Sequence, residues 1–139
     1  MLKQRFSLIL AAAICAATPP AMADGKVALA EDAHINDQLI AGAAGDMLRQ
    51  TCPSLSARIF VVWGKLRALE SYARAQGYTE VEVKAFLKDR EQRARVKAAA
   101  KGYLAKAGVV EGDTESYCRA GRDQIAKGTL VGSLLRSSK

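Results

Sequence analysis

The apolar positions of this chain recur with a helical period almost throughout. Ile35, Leu39, Ala43 and Met47 stand four apart and share one face, which predicts a first helix from about Ala33 to Thr51. Gly42 and Gly45 weaken that helix or let another helix approach it closely. Pro53 stops it, because the residue before a proline avoids helical geometry. Leu55, Ile59, Val62, Leu66, Leu69 and Ala73 are spaced 4-3-4-3-4, the spacing of a helix packed against helices. They predict a second helix from about Ser54 to Gln76. Phe60 and Trp63 widen its stripe, so this helix is expected at the centre of the fold, with Trp63 in the core. Gly77 is its expected left-handed stop.

The remaining elements announce themselves through their ends. Thr79 can cap a third helix, Glu82 can complete a capping box, and Tyr78 can staple to Val83. Phe86 and Leu87 then point inward. Asp89 with Gln92 forms a second cap, so a break is expected near Asp89. Helix four carries a thin apolar face of Val96, Ala100, Tyr103 and Leu104 and ends at Ala107, before Gly108. Asp113 caps helix five, which carries Tyr117, Cys118 and Ile125 and stops near Gly128. Thr129 to Leu135 is expected to form a last short helical turn. Sustained period-two alternation is missing, so no strand is predicted. The pattern reads as a small all-α bundle of four to five helices.

The first 23 residues change the picture. Lys3 and Arg5 precede an apolar run from Phe6 to Ala17, broken by Pro19 and Pro20 and followed by Ala21-Met22-Ala23. This is the grammar of a secretory signal peptide cleaved after Ala23. The run is too short to span a bilayer, so no membrane anchor is expected. A lipidated Cys15 is the rival reading, but Ile14 is bulky where the lipoprotein peptidase needs a small residue. Removing the leader leaves 116 of 139 residues, enough for one domain, residues 24–139. Lys3 and Arg5 depart without an acid, so the net charge of +7 falls to +5.

Export also changes how the cysteines read. Cys52 and Cys118 are the two that survive cleavage, and an oxidising compartment favours their pairing. Closing that loop would contribute about 4 kcal/mol in the chain-entropy model, a large share for a domain of this size.

Few residues are candidates for chemistry. His34 is the single histidine and has no second ligand at helical spacing, so it reads as a bystander, and neither metal nor cofactor is expected. No nucleophile elbow or phosphate-cradling glycine motif occurs. The acidic pairs Glu80/Glu82 and Asp113/Glu115 sit in helix first turns, where capping accounts for them without a glycosidase-like role. The charge layout is more telling. Residues 84–106 hold eight basic and two acidic side chains. Arg90, Arg93, Lys97 and Lys101 share a helix face and form either a solvated surface or a docking face for an anionic partner. After export that partner would be an anionic envelope component or an acidic protein. Nucleic acid is not expected, since no aromatic side chains interleave with these charges.

Three stretches carry a resemblance: Ala33–Asp37 leading to Thr51-Cys52-Pro53-Ser54, Tyr72–Thr79 leading to Ala85–Asp89, and Tyr117–Asp123 leading to Gly128-Thr129-Leu130. Together they resemble a family of small exported bacterial helical proteins known as a domain of unknown function. The resemblance implies that Cys52 and Cys118 belong to the family pattern, and it brings no activity with it. The plan of an exported helical domain with one disulfide is also similar to periplasmic stress chaperones and immunity proteins, an analogy of architecture. The expected function is a non-enzymatic periplasmic or secreted binding or inhibitor-like protein. A chaperone-like protein, and behind it a small envelope hydrolase, are the alternatives.

Overall fold

The computed structural model describes residues 26–138; the expected leader and its expected cleavage site lie outside them. Helix α1 spans Ala33–Thr51 as its period predicts, and Asp32 caps it by accepting from the Ile35 amide at 3.0 Å. The buried arc of α1 carries Ile35, Ala41, Ala44, Gly45 and Leu48. Small residues on that arc let neighbouring backbones come close. Gly45 is buried against the side chains of Leu134 and Leu135, whereas Gly42 meets no neighbour.

The stretch after Pro53 departs from expectation. Leu55–Ala57 is a strand, β1, and helix α2 begins only at Ile59 and runs to Ala75. β1 pairs antiparallel with β2, Leu135–Ser137, in the register Ser56 opposite Arg136. Tertiary packing overrides the helical period here. Leu55 plugs the space beside Gly121, where an added Cβ would overlap the Leu55 side chain. That seat requires the chain to leave Cys52 extended.

Helix α2 is not central, and this corrects the sequence reading. Its inner flank meets α1 through Val62, Leu69 and Ala73, but Ala73 is its single buried residue. Ile59, Leu66, Phe60 and Trp63 are exposed, so Trp63 is not a core residue. A 4-3-4 spacing establishes that a stripe is apolar; it cannot say whether helices cover both flanks of the stripe.

The chain then follows its caps. Tyr78 is buried with Ile35 and Ala73, and Val83 packs on that cluster as the staple requires. Helix α3, Glu80–Lys88, opens with the full capping box of Thr79 and Glu82. Phe86 packs inward, whereas Leu87 is partly exposed instead of buried. Asp89 ends α3 and caps α4, Arg90–Lys106, accepting from the Gln92 amide at 2.8 Å. Asp113 caps α5, Thr114–Ala126, and a single turn, α6, covers Leu130–Ser133 before β2. Gly77 and Gly108 take the left-handed φ that ends α2 and α4 (86° and 89°).

Two hydrophobic clusters result, and α1 contributes to both. The larger joins Ala41, Ala44 and Leu48 to Ala100 and Leu104 of α4, Ala120 of α5, and Leu134 and Leu135. The smaller gathers Ile35, Ala73 and Tyr78 at the other end of α1. Cys52 and Cys118 are disulfide-bonded, with Cα atoms 5.1 Å apart, and tie the end of α1 to α5. Buried polar groups are satisfied locally. Ser116 accepts from the Val110 amide at 2.9 Å and donates to the Asp113 carbonyl at 2.7 Å. The fold is therefore all-α, six helices among the described residues, with one minimal sheet.

Two predictions follow from these contacts. Replacing Cys52 and Cys118 together by alanine should lower the melting temperature by roughly 10 °C or more, since about 4 kcal/mol is lost from a domain of this size. Differential scanning calorimetry under non-reducing conditions measures it. The second concerns Glu82. The Thr79 amide, then Lys26 and the Thr79 hydroxyl, hold its carboxyl down at about 2, against 4.5 for a free glutamate. A depressed carboxyl stabilises the fold above pH 4.5 and stops doing so as pH falls toward 2. The stability gap between wild type and Glu82→Gln should therefore be full at neutral pH and shrink below pH 4.5, read by urea titrations across pH.

Candidate functional site

Two regions concentrate polar side chains beside open volume. The first lies where the lead-in ahead of α1, residues 26–32, meets the ends of α1 and α2, a recess of about 820 Å³. The His34 and Tyr72 rings pack there with centroids 4.4 Å apart, tilted by 50°. The Tyr72 hydroxyl donates to the free carboxylate oxygen of Asp32 at 3.2 Å. Tyr78 donates to the carbonyl of Val27. Lys26 sits 4.8 Å above the Tyr78 ring and pairs with Glu82 at 2.9 Å. Partial burial, then the Asp32 charge, pushes the Tyr72 phenol above its ordinary range, and burial does the same to Tyr78. Both rings therefore stay neutral and serve as donors. The bonds of Tyr72, Tyr78 and Lys26 anchor the lead-in to the helix ends, and His34 packs against Tyr72.

The second region is a trough between α1 and α4. Its origin is visible in the register of α4. Arg93 and Lys97 occupy the same arc of the helix as Ala100 and Leu104, which are buried against α1. The C-terminal half of α4 can close on α1 because that arc is apolar. In the N-terminal half Arg93 and Lys97 stay outside the contact, because burying unpaired cations costs several kcal/mol each, and α4 reaches α1 there through Arg95, which donates to the Asn36 side-chain oxygen at 2.8 Å. The helices leave an open volume of about 560 Å³ between them, floored by Leu39, Ala43, Met47 and Leu87 and edged by Arg93 and Lys97. It continues through Met47 and Lys97 into a second volume of about 400 Å³ edged by Lys101 and closed by Tyr117. From Arg93 to Lys101 the edge is about 12 Å long, at 1.5 Å per helical residue.

The trough gathers three of the four basic residues expected to act together. Arg90, at the first turn of α4, does not line it. Lys101 pairs with Glu111 at 3.2 Å across the surface. The two acids that line the trough are both taken up, Glu111 by Lys101 and Asp46 by Arg49 and Gln50. Arg93 and Lys97 have no acidic partner within 4 Å among the described residues. Of the candidate acidic pairs, Glu82 and Asp113 take part in caps as expected, whereas Glu80 pairs with Lys84 and Glu115 with Arg122 at 2.7 Å.

Sequence reasoning missed the floor of the trough. Leu39, Ala43 and Met47 read as core because their four-residue spacing marks a face. The shared arc of Arg93 and Lys97 with Ala100 and Leu104 could have signalled that this face stays partly open.

Residues 27–136 match the family of unknown function DUF5333, so the chain belongs to that family. No curated protein and no solved structure matches the chain.

Tyr72→Phe removes the hydroxyl that reaches Asp32 while keeping the ring against His34. It should cost about 1 kcal/mol, the size of one partly exposed hydrogen bond, and should loosen residues 26–32 first. Hydrogen exchange of those amides, beside a urea titration, measures both effects.

Proposed function

We propose that this DUF5333 member is an exported, non-enzymatic binding protein, periplasmic or secreted, whose trough takes an acidic amphipathic segment of a partner protein. One observation carries the reading: Arg93 and Lys97 edge an apolar floor and form no ion pair within 4 Å among the described residues. A groove of that make-up pairs with a helix presenting leucines to the floor and carboxylates to the rim. Concavity selects this partner over a flat surface, because the floor is reached only by side chains that enter the trough. The cations steer the approach and set the register, while the floor supplies apolar burial. The leader grammar of residues 1–23 supports export, and so does the Cys52–Cys118 bond, since such bonds persist in oxidising compartments.

The test is a fluorescence anisotropy titration with a labelled helical peptide that alternates leucine and glutamate at helical spacing. A glutamine-for-glutamate version is the control. The acidic peptide should bind, and affinity should fall as salt rises, because exposed charges are screened over about 8 Å at 0.15 M. Arg93→Glu with Lys97→Glu should weaken binding by roughly tenfold or more, about 1.4 kcal/mol per decade. The double variant should melt within a degree or two of wild type, both positions being exposed. Equal binding by the double variant, or by the glutamine peptide, overturns the reading.

A further inference from the structure

The outer face of α2 has no part in the trough, and its composition is unusual for water. Phe60 is 86% exposed and Trp63 is 58% exposed, with Ile59 and Leu66 beside them about half exposed. The two aromatic rings contact edge to face, centroids 6.4 Å apart and planes at 80°, so they form one raised patch. Helical geometry places Arg67 and Arg74 on the same arc as Phe60 and Trp63. Arg58 and Arg136 border Ile59 and Phe60 at the start of the helix. Glu70, the one acid of α2, stands on this arc beside Trp63 and Arg74, whereas Lys65 lies on the opposite side of the helix.

We infer that this face of α2 docks the protein on an anionic phospholipid bilayer, with α2 lying in the plane of the headgroups. Shape and charge select that occupant. The patch stands on a convex helix surface, which meets a flat bilayer over its length of about 25 Å, at 1.5 Å per residue. Indole and phenyl rings are at their most stable at the depth of the headgroups. Arginines interleaved with those rings carry their guanidinium groups outward on long stems, where lipid phosphates accept from them. A second copy of this chain would instead bring Arg67 and Arg74 against their own equivalents. Arg58 and Arg136, beside Ile59 and Phe60, would add to that repulsion. An interfacial helix with this residue mix binds through apolar burial together with attraction to anionic lipid. It does not cross the bilayer: among the described residues no helix is long and apolar enough to do so.

Trp63 is the single tryptophan of the chain, so the face carries its own reporter. Protein freed of residues 1–23 is titrated with vesicles of phosphatidylcholine alone or mixed with phosphatidylglycerol. Anionic vesicles should shift Trp63 emission to the blue and co-sediment the protein, and neutral vesicles should do neither. Arg67→Glu with Arg74→Glu should reduce co-sedimentation by more than roughly tenfold, since each reversal replaces an attraction with a repulsion. Ile59→Ser with Phe60→Ser, which leaves the reporter in place, should remove the blue shift. Both variants alter exposed positions, and circular dichroism melts verify that they fold. The Arg93→Glu and Lys97→Glu variant should still bind vesicles, which separates this docking from peptide capture by the trough. No shift with anionic vesicles overturns the inference. So does a blue shift that grows with protein concentration in the absence of lipid, which would place a second copy on the face. Vesicle binding lost in the Arg93/Lys97 variant but kept in the Ile59/Phe60 variant overturns it as well.

Discussion

Everything in this fold is fitted to one arc of α1. Ala41, Ala44 and Gly45 keep that arc shallow, and Leu48 gives it one large side chain that is wholly buried. A shallow arc admits backbones on several sides at once. α4 lies along one side, α5 and α6 along another, and the strand pair closes the far end. Interiors pack at crystal-like density, so a larger residue at Ala44 would displace more than one neighbour. The second cluster, around Ile35, Ala73 and Tyr78, uses the other end of the same helix. α1 is thus the one element with fully buried residues in both cores, and the positions of α2 and α4 are defined with respect to it.

Much of this was legible from residues whose chemistry is local. Thr79 with Glu82, Asp89 with Gln92, and Asp113 each satisfy the free amides at a helix start, and each marks its helix start to within a residue. Gly77 and Gly108 stop their helices for an equally local reason, the left-handed turn. The Cys52–Cys118 pairing followed from compartment and count. What was hidden is whatever depends on a distant partner. Three-residue strands are too short to show a period, and Leu55 is extended because of a gap at Gly121, 66 positions away. The stripe of α2 reads the same whether helices or water lie on its flanks, so Phe60 and Trp63 passed for core. The stripe of Arg93, Lys97 and Lys101 was legible as a face, but its position on the edge of an apolar trough was not.

The two surfaces differ in the way they break the rule that apolar groups are covered. In the trough the apolar residues recede and cations guard the rim, so access is limited to something narrow. On α2 the apolar residues protrude and the cations stand among them, so access is open to something broad. Large exposed aromatic groups lower solubility unless charge surrounds them, and both surfaces carry that charge. The division follows from the packing on α1: α4 buries Ala100 and Leu104 against it and leaves Arg93 and Lys97 exposed, while α2 is held along its inner flank alone.

The disulfide has one more consequence, for survival among proteases. Its two ends enclose β1, α2, α3 and α4, and with them every side chain of the aromatic face except Arg136. A single cut anywhere between Pro53 and Tyr117 would leave two polypeptides joined through sulfur. The cut molecule would keep α1 bound to α5, and with them most of the larger cluster. α3, with no buried residue, and α2, with one, are the helices that open most readily to such a cut. A nick there would be a lesion in one strap of the molecule, and the severed halves could not diffuse apart.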